Sequence, residues 1–80
     1  MADHNVKTTL DCSGMMCPMP VVKTKMAINK MEVGEVLEMI STDPGAMPDM
    51  AAWARQTKHD LLESKDEGSN VYRFFIKKTH

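Results

Sequence analysis

The sequence predicts a two-layer α/β sandwich with the element order βαβαββ, in which both helices pack on one face of a four-stranded sheet. Two apolar stretches repeat with the period of a helix, and each follows a loop that contains proline or glycine. The remaining apolar stretches alternate or run continuously, as strands do. The 80 residues suffice for one small domain with a modest core. We treat residues 1–80 as that domain and expect the polar residues 1–5 to fray.

The first strand is predicted at residues 6–11, where apolar and polar residues alternate. Its inward positions are Val6, Thr8 and Leu10. A loop over residues 13–16 follows. We expect the first helix to run from Pro18 to about Met31, because the first N–H groups of a helix need no intrahelical acceptor and proline is tolerated there.

One face of that helix is predicted to contact the core, since its members recur at about 100° per residue. These members are Pro20, Val21, Thr24, Ala27, Ile28 and Met31. The next strand, Val36 to Ser41, is apolar on both pleat faces, which is typical of an interior parallel strand. The first helix would therefore join two parallel strands in a right-handed βαβ unit.

The second half of the chain is predicted to form a loop, a second helix and a hairpin of two strands. Asp43, Pro44, Gly45 and Pro48 interrupt the chain before a helix from about Met47 to Thr57. Its apolar stripe contains Met50, Trp53, Ala54 and Thr57. Two strands, at residues 60–64 and 71–77, are separated by the turn segment KDEGSN.

Composition excludes several classes of function. Ten Lys plus Arg against eleven Asp plus Glu give a net charge of −1, which lacks the positive field that nucleic-acid binding usually requires. No stretch approaches the roughly 20 apolar residues that cross a bilayer. Two cysteines are too few for a secreted disulfide framework. We expect a cytoplasmic protein that contacts neither nucleic acid nor membrane and is a monomer when free.

The chemistry concentrates at the segment GMMCPMP, residues 14–20, where Cys17 precedes the first helix. A cysteine with a pKa of about 8.5 is only a few per cent thiolate at neutral pH. A helix N-terminus stabilises an anion by roughly 0.3 to 1 kcal/mol, or ~2 when partly buried, which lowers the pKa by up to about one and a half units. Cys17 is therefore a candidate nucleophile; the alternative is a small buried apolar residue.

The rest of the sequence offers little catalytic machinery. His4 and His80 lie near the ends of the chain and His59 follows the second helix, so no histidine base is evident beside Cys17. The Cys-x4-Cys spacing lacks the paired short spacings of structural zinc sites, and we expect no metal or other cofactor. Cys12 is interpreted as a structural strand-end residue, with a resolving-thiol role as the alternative.

The segment LDCSGMMCPMPVVKTKMAINKM resembles the TusA (SirA-like) sulfur-carrier family, whose signature is C-P-x-P at the start of a helix. The resemblance continues through residues 33–64 to the aromatic last strand and covers nearly the whole chain. It implies a βαβαββ fold with a four-stranded mixed sheet. The methionines Met16 and Met19 stand where members acting in transfer-RNA thiolation often carry charged residues.

The resemblance also implies a sulfurtransferase-type function. Cys17 would accept a sulfane sulfur as a persulfide from a cysteine desulfurase, a rhodanese or a similar donor. It would pass that sulfur to an acceptor such as a DsrE-like or tRNA-thiolation protein. Pro18 and Pro20 would form the motif scaffold, Gly14 would allow a tight approach into the helix, and Asp11 would brace the loop. The uncharged surroundings of Cys17 favour dissimilatory sulfur oxidation over tRNA thiolation.

Apolar side chains beside the motif suggest a partner-docking surface on the first helix. Its members are Met16, Met19, Val22, Lys23 and Met26. The alternative is that these residues pack beside the second helix or are scattered surface apolars. Lys23, Lys25 and Lys30 would steer acidic partners or simply form a solvated face.

Two other functions stay open: a thiol redox switch using Cys17 and Cys12, and a non-catalytic regulatory module.

Overall fold

The computed structural model describes residues 6–16 and 19–80, and these residues form six elements in the predicted order. The elements are β1 (Val6–Cys12), α1 (Met19–Asn29), β2 (Val36–Ser41), α2 (Ala46–Thr57), β3 (Asp60–Asp66) and β4 (Tyr72–Lys77). The predicted βαβαββ architecture is confirmed.

The four strands form one mixed sheet in the order β1-β2-β4-β3. β1 pairs parallel with β2, while β4 pairs antiparallel with both β2 and β3. β2 is therefore an interior strand, which explains why Val36 and Leu37, on opposite pleat faces, are both buried. The parallel pair requires a crossover connection, and α1 provides it.

The core fills the space between the sheet and both helices. Leu37 lies opposite Ile76 and Met39 lies opposite Phe74, and all four side chains are fully buried. α1 and α2 contact each other as well as the sheet, which places both helices on one face. They contribute Ile28 from α1 and Met50, Trp53 and Ala54 from α2. Trp53, predicted in the apolar stripe of the second helix, thus packs in the core.

The predicted core face of α1 is largely confirmed. Pro20, Thr24 and Ile28 are buried, and the buried hydroxyl of Thr24 donates to the Pro20 carbonyl at 2.7 Å. The helix ends at Asn29 rather than at Met31, because the N–H groups of Lys30 and Met31 bond three residues back and tighten the last turn. Its predicted start at Pro18 lies outside the described residues.

Three strand predictions differ from the structure. β3 runs to Asp66 rather than ending at residue 64, so the hairpin turn is shorter than predicted. A β-bulge between Val6 and Thr8 interrupts the alternation of β1, so that Val6 is 37% exposed instead of facing the core. β4 begins at Tyr72, because Val71 donates its N–H to Gly68 and belongs to the hairpin turn. Three consecutive positive φ values, at residues 68–70, close that turn.

The second face of the sheet carries charged pairs. Arg73 contacts the carboxylates of Glu38 and Glu67, and the ammonium group of Lys65 lies 5.7 Å from the centre of the Phe75 ring.

Within the described ranges, no helix is long and apolar enough to cross a membrane.

We predict that Met39→Ala lowers the free energy of unfolding by about 2 to 5 kcal/mol, because it leaves a cavity in the central strand. Urea denaturation of the whole protein measures this change. Met26→Ala is the matched control, since Met26 is 50% exposed on α1 and its loss is expected to cost less than about 0.5 kcal/mol. Equal losses in the two variants would contradict the assignment of the core.

Candidate functional site

Two loops emerge side by side where β1 and β2 end. Cys12, the last residue of β1, is the register partner of Ser41, the last residue of β2. Because the two strands are parallel, the loops at residues 13–16 and 42–45 leave the same edge of the sheet. Cys17 and Pro18 follow the first loop and lie outside the described residues, so the site is described from the residues around them.

Asp11 fixes the beginning of the first loop. One of its carboxylate oxygens accepts the Ser13 N–H at 2.9 Å, and the Met15 N–H donates to the Cys12 carbonyl at 3.1 Å. Hydrogen bonds from the side chain and then the backbone of Ser13 lower the pKa of Asp11 below its usual value. The bond between Asp11 and the Ser13 N–H is one that a residue bracing the first loop would make, and it favours the charged carboxylate.

Gly14 joins the first loop to the second. Its N–H donates to the Thr42 hydroxyl oxygen at 2.8 Å. Its φ of +80° is a left-handed value that favours glycine. Among residues 6–16 and 19–80, no atom lies within 4 Å of a Cβ placed at this position, so the left-handed backbone conformation is the described feature that favours glycine here. Thr42 was missed in the sequence; its position directly after a parallel strand was the available signal.

The second loop is held by its own side chains. The buried Ser41 accepts the Asp43 N–H at 3.1 Å, and Asp43 in turn accepts the Gly45 N–H at 3.0 Å. These bonds turn the chain from β2 into α2. Both loops are therefore fixed by short local bonds, and the Gly14–Thr42 bond links them to each other.

The chain is also held on both sides of residues 17 and 18. The N–H of Met19 donates to the carbonyl of Met16 at 2.9 Å, and Pro20 is buried within the first turn of α1. Proline in the first helical turn costs no intrahelical bond, since the first N–H groups have no partner there. Of the predicted motif scaffold, Asp11, Gly14 and Pro20 are described, and all three lie around the first loop or the start of α1.

Cys12 occupies a very different environment from a reactive thiol. Its side chain is fully buried in the core. Burial raises the pKa of the Cys12 thiol, and the negative charge of Asp11 raises it further, against a smaller lowering by Lys23. The thiol is therefore neutral near pH 7 and packs as a small apolar group.

Four apolar side chains at and after the first loop are exposed. They are Met16 (76%), Met19 (42%), Val22 (41%) and Met26 (50%), and we call them the methionine strip. None of the four belongs to the buried core. Lys23, predicted with them, is only partly exposed and borders a groove on the next side of α1.

The described histidines lie at the other end of the sheet. His59 precedes β3, and His80 follows β4, whose last residue pairs with Val36 at the start of β2. The His59 Nδ1 accepts the Thr79 N–H at 3.2 Å, and the ring stacks on His80 with centroids 4.4 Å apart. Burial, followed by the charges of His80 and Lys78, lowers the pKa of His59 below 6.5. His4 lies outside the described residues.

No group of three or more His, Cys, Asp or Glu residues within residues 6–16 and 19–80 is arranged to hold a metal ion. What the described site offers is a pair of braced loops, a helix start and an exposed apolar strip.

Comparison with known proteins identifies the family. Residues 8–78 match the family described as sulfurtransferase TusA. The sulfur carrier protein TusA of Allochromatium vinosum is 46% identical over 79 residues, covering 99% of this chain and all of that protein. YrkI of Bacillus subtilis is 49% identical over 69 residues, covering 86% of this chain and 91% of that protein.

A solved structure has the same fold. The SirA-like protein from Desulfitobacterium hafniense superimposes with a TM-score of 0.79, covering 91% of this chain and 99% of that one at 22% identity. The family match spans both loops and the C-P-x-P segment at residues 17–20. The chain therefore belongs to the TusA family of sulfur carriers.

Proposed function

We propose that this protein carries sulfane sulfur as a persulfide on Cys17 and relays it from a donor protein to an acceptor protein. The observation that carries the proposal is the family match across the C-P-x-P segment, which leads from a braced loop into α1. Cysteine at that point of the motif is the nucleophile that such a relay requires.

The proposed transfer needs no external oxidant or reductant. The Cys17 thiolate attacks the terminal sulfur of a donor persulfide, a new S–S bond forms on Cys17, and the donor thiolate leaves. In the second step, an acceptor thiolate attacks the outer sulfur of the Cys17 persulfide and the Cys17 thiolate leaves. Both steps are thiol–disulfide-type exchanges, so no cofactor or metal enters the scheme.

The contrast between the two cysteines supports this assignment over a redox switch. A resolving thiol must reach its partner and must form a thiolate, and Cys12 is fully buried with a raised pKa. Cys12 therefore serves packing at the end of β1 in this proposal. A reduced Cys17 also requires a reducing compartment, for which we propose the cytoplasm.

Partner proteins complete the reaction site in this proposal. The methionine strip follows the motif along α1, and flexible thioether side chains suit a surface that must fit both a donor and an acceptor. Donors of the desulfurase or rhodanese class and acceptors of the DsrE-like or tRNA-thiolation class meet this need. The absence of charge at Met16 and Met19 favours the sulfur-oxidation pathway.

We expect Cys17→Ser to abolish sulfur loading. Wild-type protein incubated with a cysteine desulfurase and cysteine, or with a rhodanese and thiosulfate, should gain one sulfur that a reductant removes, as read by intact-protein mass spectrometry. Cys12→Ala is the matched control and should still load. Loading of Cys17→Ser at the wild-type level would refute the carrier assignment. Cellular function that survives Cys17→Ala would favour the regulatory module.

Thr42→Val tests the bond between the two loops. The variant removes the acceptor for the Gly14 N–H, which should cost about 1 kcal/mol or less in stability. We expect the rate of sulfur loading to fall several-fold, since the first loop loses its link to the second. Thr9→Val is the control, because the Thr9 hydroxyl bonds Glu38 on the far face of the sheet. Equal loading rates in both variants would show that the link does not position the loop.

Met16→Ser and Met19→Ser test the methionine strip. Both side chains are exposed, so stability should change by less than about 0.5 kcal/mol. We expect KM for the loaded donor protein to rise several-fold while kcat changes little, since the strip supplies binding to the partner. Val33→Ser is the control, as Val33 is 62% exposed and lies beyond α1. An unchanged KM would remove the strip from the interface.

A further inference from the structure

A groove separates α1 from the edge strand β1, on the side of α1 next to the methionine strip. Its volume is about 450 Å³. Among the strands of the described residues, β1 lies at the edge of the sheet, and none of them closes this side. The groove is lined by Thr8 and Leu10 of β1, by Met26 and Ala27 of α1, and by Met31 beyond the helix.

Lysines surround this apolar floor. Lys23 lies on α1 and Lys30 directly follows its end, seven residues further on, which corresponds to about 10 Å along the helix axis. Lys7 comes from β1, at the bulge between Val6 and Thr8, and lines the groove beside Thr8. Lysines from the strand side and from the helix side thus line the groove.

The negative charge that faces these lysines is small. Glu35 is the acidic residue in the lining, and its carboxylate already accepts the Glu32 N–H at 2.9 Å. Among residues 6–16 and 19–80, no ion pair involves Lys7, Lys23 or Lys30. The groove is therefore a net positive site with an apolar floor.

We propose that this groove binds an extended acidic segment of a sulfur-transfer partner, with one large apolar side chain on the floor and carboxylates beside the lysines. Charge complementarity selects the acidic segment, and the floor of Leu10, Met26 and Ala27 selects the apolar anchor. Met26 belongs to both the groove and the methionine strip, so the two surfaces are continuous and one partner can contact both.

Other occupants fit the groove less well. The phosphates of a nucleic acid would pair with the lysines but would gain nothing from the apolar floor. A second copy of this chain would bind by a surface different from its own groove, and such head-to-tail contacts lead to rings or open filaments. The inference rests on the proposed carrier function only in assigning the acidic segment to a sulfur-transfer partner.

Titration of the full chain with a defined peptide tests the proposal. The probe is a fluorescein-labelled peptide of about ten residues, roughly 33 Å when extended, with a central leucine flanked by glutamates. We expect saturable binding by fluorescence anisotropy, weaker at high salt, with amide shifts in residues 7–10 and 23–31 by NMR. A peptide with glutamines in place of the glutamates, or alanine in place of the leucine, should bind at least about fivefold more weakly.

Charge reversal locates the site. Lys23→Glu and Lys30→Glu should each weaken peptide binding about five- to tenfold. Lys25→Glu is the matched control, because Lys25 is exposed on α1 outside the groove and carries the same change in net charge. Circular dichroism establishes that all three variants are folded.

Several outcomes would overturn the proposal: no saturable binding, equal weakening by Lys25→Glu, or tighter binding of a single-stranded RNA or of anionic phospholipid vesicles than of the peptide. Peptide-independent self-association that Lys23→Glu abolishes would assign the groove to a second copy instead. Binding is measured on wild type and on Cys17→Ser. Sulfur loading of the wild type without peptide binding overturns the groove alone, whereas peptide binding by a wild-type protein that does not load sulfur overturns the carrier function alone.

Discussion

Parallel pairing of β1 with β2 is the constraint on which the site depends. The register that places Cys12 opposite Ser41 brings two loops to one edge of the sheet and allows Gly14 to bond Thr42. A parallel pair also forces a crossover connection, and α1 is that connection. The start of α1 is therefore delivered to the same edge, directly after the first loop. One strand pairing thus assembles both loops and the helix start.

The methionines show how the same residue type serves opposite purposes in this chain. Met39 and Met50 are fully buried and fill the core between sheet and helices. Met16, Met19 and Met26 are exposed, and the hydration of their apolar surface is unfavourable in free energy. Exposed apolar side chains grouped next to a family motif are more informative than the same number scattered over the surface. The division is consistent with the proposal that partner proteins complete the reaction site.

Cys12 is buried in the core, although only four residues lie between it and Cys17 of the motif. The alternation of β1 directs Cys12 to the helix-covered face, where burial keeps its thiol neutral. Cys17 follows the loop that Asp11, Gly14 and Thr42 hold. A relay requires one reactive sulfur that partners can reach, and a second thiol in the core does not compete with it.

The sequence by itself determined the element order, the two core stripes and the C-P-x-P segment, because hydrophobic periods and proline placement are local properties. It also indicated β2 as the interior strand from its two apolar faces. Only the tertiary structure decided that Thr42 bonds Gly14, that the methionine strip is exposed, and that Lys7 joins Lys23 and Lys30 around one groove. These features join residues distant in the chain, or depend on a bulge that no local pattern predicts, so they arise only when the strands pair and the helices pack.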